Sequence, residues 1–224
     1  MTETPGTNKE MIALHGVSKN FQEVSAVNNV NLTIHNQNTV VIFGHSGSGK
    51  TTLLRLIAGL LMPDSGEIYI DDQIAGTNQF NMPPYERKIG YVFQTPALWP
   101  HMTIKQNIMF GMEGISPKES EERLEELLEK LDIQGVEKKY PGQISGGQAK
   151  RVALARTLAP KPKILLLDEP LSNIDMELKE KILDYIKREV KKDTKAIVYV
   201  THDQKEAEEI GDRIVKMRGG CIEK

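Results

Sequence analysis

The sequence predicts an α/β fold: a mainly parallel sheet flanked by helices, with an N-terminal antiparallel β portion and a helical subdomain. Three observations lead there. A short apolar run, Thr39 to Phe43, enters a glycine-rich loop and then a leucine-spaced helix, the opening of a strand–loop–helix unit. Two later runs, Ile164 to Leu167 and Ala196 to Val200, are apolar without alternation, as strands buried on both faces of a parallel sheet are. Helix signals at 176–192 and 203–210 separate and follow those strands, which gives the alternation of a parallel sheet covered by helices.

Taken in order, residues 1–10 read as a flexible polar tail and residues 11–224 as one domain. Residues 12–35 are β-rich, with Ile12, Leu14 and Val17, then Val24 to Val30, then Leu32 alternating with Ile34. Thr51 to Leu61 has helical leucine spacing and stops near Gly59. Glu67 to Asp72 and Ile89 to Phe93 read as further strands. A helical subdomain inserted at about 95–158 follows. In it Ser116 is an N-cap, Pro117 suits the first helical position, and Glu119 completes a capping box. Leu124, Leu127, Leu128 and Leu131 mark one apolar face, and the intervening charges, including a Glu126–Lys130 pair, read as a solvated one. Arg213 to Cys221 is strand-like.

Composition bounds the chemistry. The 224 residues carry 29 Lys and Arg against 31 Asp and Glu, a net charge of −2, so nothing draws the chain as a whole toward nucleic acid or an anionic membrane. The single cysteine, Cys221, excludes an internal disulfide and a cysteine-rich metal site, and fits a reducing compartment. The N-terminus lacks the apolar region of a signal peptide, and no apolar run approaches the ~18 residues of a membrane span.

Three segments carry site chemistry. Gly44-His45-Ser46-Gly47-Ser48-Gly49-Lys50-Thr51 fits GxxxxGK[ST]. Its glycines let backbone N–H groups wrap a phosphate chain, and the following helix adds the positive end of its dipole. The nucleotide-binding set runs from Gly44 through Thr52, with the His45 side chain a bystander. Lys50 is placed for the β- and γ-phosphates, and Thr51 for Mg²⁺. The core is thereby expected to be that of a P-loop NTPase. Asp168-Glu169 ends the ILLL run, where open α/β sheets bind ligands. Asp168 there can hold a magnesium-bound water, and Glu169 can polarise an attacking one. Ile144-Ser145-Gly146-Gly147-Gln148 opens a helix, and on the residues alone it is equally an ordinary capped helix or a second anion site.

These segments fall in the order of the ATP-binding cassette (ABC) ATPases, which the chain resembles from about Ile12 to Cys221. The resemblance adds Gln94 after a strand and the strand-terminal His202, with Ile144 in place of the usual leucine. It implies that two cassettes pair head to tail, so that Ser145, Gly146, Gly147 and Gln148 contact ATP held by the partner's loop. It implies that Phe21 stacks on adenine, that Gln94 senses Mg²⁺ and water, that Glu169 and His202 support hydrolysis, and that Asp175 links the two sites. Asn173 and Ile174 depart from the family's usual SALD. The stretch Gly90 to Ile108 looks like prokaryotic importer cassettes, with Trp99 replacing the commoner Phe or Tyr and Leu98 to Met102 bordering a groove for a membrane subunit. The implied partners are a second cassette, transmembrane permease subunits at the cytoplasmic face of the membrane, and a solute-binding protein. An exporter or lipid-extraction system is the alternative. A nucleic-acid-handling ATPase is disfavoured by the short interval between loop and signature, and a regulatory GTPase by the lack of an NKxD segment. Many importer cassettes carry a C-terminal regulatory β-domain, whereas this sequence ends at Lys224, as a short form or a truncated one.

Overall fold

The computed structural model describes residues 9–112 and 114–223. Of the expected tail, residues 1–8 lie outside that range, and Glu10 already begins a strand. Strands β1 (Glu10–Phe21) and β2 (Val24–His35) form an antiparallel hairpin, followed by β3 (Asn38–Phe43) and helix α1 (Lys50–Ile57). Next come β4 (Ser65–Ile70), β5 (Gln73–Gly76), the short α2 (Pro84–Arg87) and β6 (Ile89–Val92). Three helices follow: α3 (Ile104–Met109), α4 (Pro117–Lys130) and α5 (Gly146–Leu158). The chain then lays down β7 (Ile164–Asp168), α6 (Met176–Tyr185), α7 (Lys191–Asp193), β8 (Ala196–Thr201), α8 (Gln204–Ile210), β9 (Arg213–Arg218) and β10 (Cys221–Ile222).

Two sheets result. The smaller is antiparallel in the order β2-β1-β4-β5, and the larger runs β10-β9-β3-β8-β7-β6. In the larger sheet every pairing is parallel except β10 with β9. The unbroken apolar runs are explained by burial on both faces. Val40, Ile42, Leu166, Val198 and Val200 point into a cluster with α1 and the antiparallel sheet. Val41, Leu165, Leu167, Ile197 and Tyr199 point the other way, into a cluster with the helices. Each fully buried Leu, Ile or Val contributes about 1.5–3 kcal/mol relative to exposure.

Local chemistry accounts for the helix starts. Ser116 and Glu119 form the expected capping box on α4, and Leu124, Leu127 and Leu128 are its buried face. The expected Glu126–Lys130 pair does not form. Glu126 Oε2 instead accepts from Arg123 at 2.7 Å, and Glu126 Oε1 from the Tyr185 hydroxyl at 3.0 Å, because α6 brings Tyr185 against this face. The expected helix 176–192 is also interrupted: Ile186–Val190 winds as a π-helix, the mark of an extra residue in the helical ladder. The strand-like stretch Arg213 to Cys221 divides at the Gly219-Gly220 turn into β9 and the start of β10, and strand β5 and helix α2 had no strong pattern in the sequence.

Candidate active site

The larger sheet brings four of the candidate segments to one edge. In register, Phe43 pairs with Thr201 and with Lys216, Val92 with Leu167, and Asp168 with Val200. The glycine loop, Gln94, Asp168-Glu169 and His202 therefore all emerge beyond the carboxyl ends of neighbouring parallel strands, the place where such sheets bind ligands.

The loop between β3 and α1 is shaped by glycine at points where nothing larger fits. A β-carbon at Gly44 would stand 2.3 Å from the Met217 carbonyl oxygen. Gly49, the N-cap of α1, has φ +102°, and a β-carbon there would stand 2.1 Å from the Ala26 carbonyl oxygen. Lys50 turns back into the loop and donates to the carbonyls of Gly44 at 2.7 Å and His45 at 2.8 Å. Burial depresses the Lys50 ammonium below the ordinary lysine range, and the carboxylates of Glu169 and Asp168 pull it partly back. His45 and Ser46 are exposed, whereas Ser48 is buried. Thr51 Oγ1 donates to Asp168 Oδ1 at 3.0 Å, which ties the start of α1 to the end of β7. Thr52 follows, part-buried, on the same turn.

Asp168 is 1% exposed. Burial raises its carboxyl above the ordinary range; the Thr51 hydrogen bond and the Arg55 and Lys50 charges oppose this, and Glu169 adds to it. The Tyr91 hydroxyl also reaches Asp168 Oδ2, at 3.5 Å. Glu169 has φ +47°, a left-handed conformation uncommon outside glycine. Its Oε1 lies 3.2 Å from His202 Nδ1. Gln94 is exposed, two residues beyond the end of β6.

Phe21 closes the β1–β2 hairpin opposite Val24 and is 45% exposed, so it is not a core residue. Lys19 Nζ stands 5.8 Å from its ring centroid. The hairpin lies beside the loop, since Ala26 is the residue whose carbonyl crowds Gly49.

The Ser145–Gln148 segment sits elsewhere. Ser145 caps α5, with Gln148 N–H donating to Ser145 Oγ at 3.2 Å and Ser145 N–H to Gln148 Oε1 at 3.0 Å. Gly146 and Gly147 line a groove with Pro96, Leu98 and Asn173 rather than with the 44–51 loop. Among the described residues a β-carbon at Gly146 would meet nothing within 4 Å, so its own chain does not require glycine there. Asp175 is exposed and caps α6, accepting from Leu178 N–H at 3.0 Å. Asn173, which departs from the family's usual alanine, has φ +63°, a conformation asparagine tolerates well.

The ABC transporter family model matches residues 27–172, about two thirds of the chain. The chain belongs to the ABC transporter family. Among ABC relatives it is 44% identical over 214 residues to the sulfate/thiosulfate import ATP-binding protein CysA of Synechocystis sp., covering 95% of this chain and 59% of that protein. It is 43% identical over 218 residues to the Fe(3+) ions import ATP-binding protein FbpC of Escherichia coli O157:H7, covering 96% and 62%. The chain thus spans about three-fifths of the length of these curated relatives. Among solved ABC structures it resembles a dimeric bacterial transporter cassette at 36% identity and TM-score 0.86, over 96% of this chain and 97% of that one. An ATP-binding cassette solved as a dimer in a post-hydrolysis state with ADP and Pi is 37% identical, with TM-score 0.83 and the same coverage.

Two contacts of this ABC site escape sequence reasoning. Tyr91 meets Asp168 from the neighbouring strand, signalled only by a polar hydroxyl near a strand end. Lys150 on α5 donates to the Ser172 hydroxyl, and to its carbonyl at 3.2 Å, while Ser172 Oγ donates to the Glu169 carbonyl at 3.0 Å. A chain of hydrogen bonds thereby joins the Ser145 helix to the backbone of Glu169.

Proposed function

We propose that this chain is the ATP-hydrolysing subunit of an importer, working at the cytoplasmic face of a membrane. It pairs with a second cassette around two ATP molecules and docks on permease subunits fed by a solute-binding protein. The observation that carries the reading is the convergence of buried Lys50, the Thr51–Asp168 bond and the Glu169–His202 contact on one sheet edge. Relatives named as import proteins favour import over an exporter or lipid-extraction system. Among the described residues no helix is long and apolar enough to cross a membrane.

The residues fit ATP with magnesium. The loop cannot keep its path with a β-carbon at Gly44 or Gly49, which would strike the Met217 or Ala26 carbonyl. Thr51 Oγ1 and the Asp168 carboxylate, with Gln94 on the adjoining strand end, are oxygen donors of the kind Mg²⁺ takes alongside waters and phosphates. The ion would offset phosphate charge. Lys50 exchanges the Gly44 and His45 carbonyls for β- and γ-phosphate oxygens. Glu169 accepts the proton of the attacking water, and His202, held through Nδ1, offers Nε2 to the γ-phosphate. Phe21 stacks on the base. Ser145, Gly146, Gly147 and Gln148 complete the site on the partner cassette, and Asp175 joins the two sites.

The permease-facing surface is read from Trp99, which is 44% exposed and has its ring 5.9 Å from that of exposed Phe110. Asn107, fully buried, pins this loop by accepting from Trp99 N–H at 2.8 Å and donating to the carbonyls of Trp99, Met102 and Thr103.

Glu169→Gln tests the reading. It should cut turnover by roughly 10² or more while leaving ATP binding intact and trapping an ATP-bound dimer. A strictly monomeric elution profile with ATP and Mg²⁺ would overturn it.

A further inference from the structure

Glu206 on α8 is 3% exposed, a rare place for a carboxylate unless it is paired. Three donors converge on it. The Tyr199 hydroxyl donates at 2.9 Å and Thr201 Oγ1 at 2.8 Å, both to Oε2. Lys179 Nζ, from α6, stands 2.6 Å from Oε1. These partners frame His202 in the chain. Thr201 precedes it, and Thr201 Oγ1 also accepts the backbone N–H of Asp203, which follows it, at 3.0 Å. Asp203 accepts in turn from Lys205 N–H at 2.9 Å and from Lys179 Nζ at 3.2 Å. The His202 side chain itself is 59% exposed, so apart from its Nδ1 contact with Glu169 it is the turn beneath it, rather than packing around it, that sets where the ring stands.

The geometry points to Glu206 as a positioning residue for ATP hydrolysis, a buried carboxylate that locks the Thr201–Asp203 turn and so aims His202. This rests on the role given to His202 above. Glu206 touches no substrate and acts through the turn. The clamp also reaches the helix that Asp175 caps, because Lys179 lies one helical turn inside it. The charges suit the task. Burial alone would lower the Lys179 ammonium, but its bonds to Glu206 and Asp203 hold it above the ordinary range. Burial, with Glu206 alongside, pushes the Tyr199 hydroxyl well up, which keeps it a donor. Glu206→Gln keeps the volume but puts an amide N–H against Lys179 or against both hydroxyls, which share one oxygen.

A double-mutant cycle on the full chain tests this, with steady-state ATPase kinetics and a melting curve for each variant. Glu206→Gln should lower kcat about tenfold with KM for ATP within about twofold. In a His202→Ala background the same change should alter kcat by less than about twofold, because its target is gone. Lys179→Met, at the outer end of the clamp, should repeat the pattern and stands in if Glu206→Gln does not fold. Equal losses of kcat with and without His202, or an unchanged kcat in both clamp variants, would overturn the positioning role alone. An unimpaired His202→Ala would overturn the reading of His202 and the positioning role together.

Discussion

At Asp168 stability and chemistry pull in opposite directions. Burial raises its carboxyl, so the folded chain holds that proton more tightly than the unfolded chain does. The stability tied to protonation is complete below the ordinary carboxylate value of 3.8 and is lost as pH rises through the higher folded value. At neutral pH the ionised group is therefore a cost to the fold. Asp168→Asn keeps an oxygen for Thr51 and removes that cost. It should raise Tm, by about 2–4 °C for each kcal/mol relieved, while Mg²⁺-dependent hydrolysis falls. A lower Tm would show that the carboxylate stabilises the fold. Residues like Asp168 were legible in the sequence because phosphate and metal chemistry demands particular side chains at fixed spacings. Glu206 was not: its partners Tyr199, Thr201 and Lys179 come together only once β8, α6 and α8 are packed.

At the scale of elements, α1 is held at both ends by different means. Its N-terminus opens on the glycine loop. Its C-terminus is capped by Arg87, a buried guanidinium that donates to the carbonyls of Leu56 at 3.0 Å and Ile57 at 2.7 Å. The same group binds the carbonyls of Met82 and Ala75 and the side chain of Asn81, and burial pushes its pKa down to about 10. Arg87→Ala would leave several carbonyls without a donor, at about 1–3 kcal/mol each. A drop in Tm of roughly 6–12 °C is expected for about 3 kcal/mol lost, and a drop below about 2 °C would mean that water replaces the cap. No sequence pattern announced this role, because the acceptors are backbone oxygens that any residue supplies. The capping box at Ser116 was legible for the opposite reason, being made by side chains at a fixed offset. The π-helical stretch Ile186–Val190 left no trace in helical periodicity, since buried Ile182, Ile186 and Val190 keep a four-residue spacing across it.

Over the whole molecule, the two helix starts proposed for phosphate do not share a groove. The loop 44–51 lies at the sheet edge, and Gly146 and Gly147, which follow Ser145, line a groove with Asn173, Pro96 and Leu98. Whether one nucleotide uses both was open on the residues alone, since the sequence does not say how far apart two helix ends will stand. Open space at Gly146 makes Gly146→Asp a clean test of the shared site. The substitution should leave the fold and ATP binding by one protomer intact and abolish the ATP-dependent dimer, read by light scattering with the Glu169→Gln background as reference. A dimer that persists would place the nucleotide contact somewhere other than this segment.

The separation of the two helix starts has a consequence for the cell. Under the proposed pairing a solitary subunit is chemically idle, so turnover at low abundance is second order in protein, and halving the concentration well below the pairing constant roughly quarters the output. Surplus copies without a membrane complex to gather them would then leave the cell's energy currency unspent.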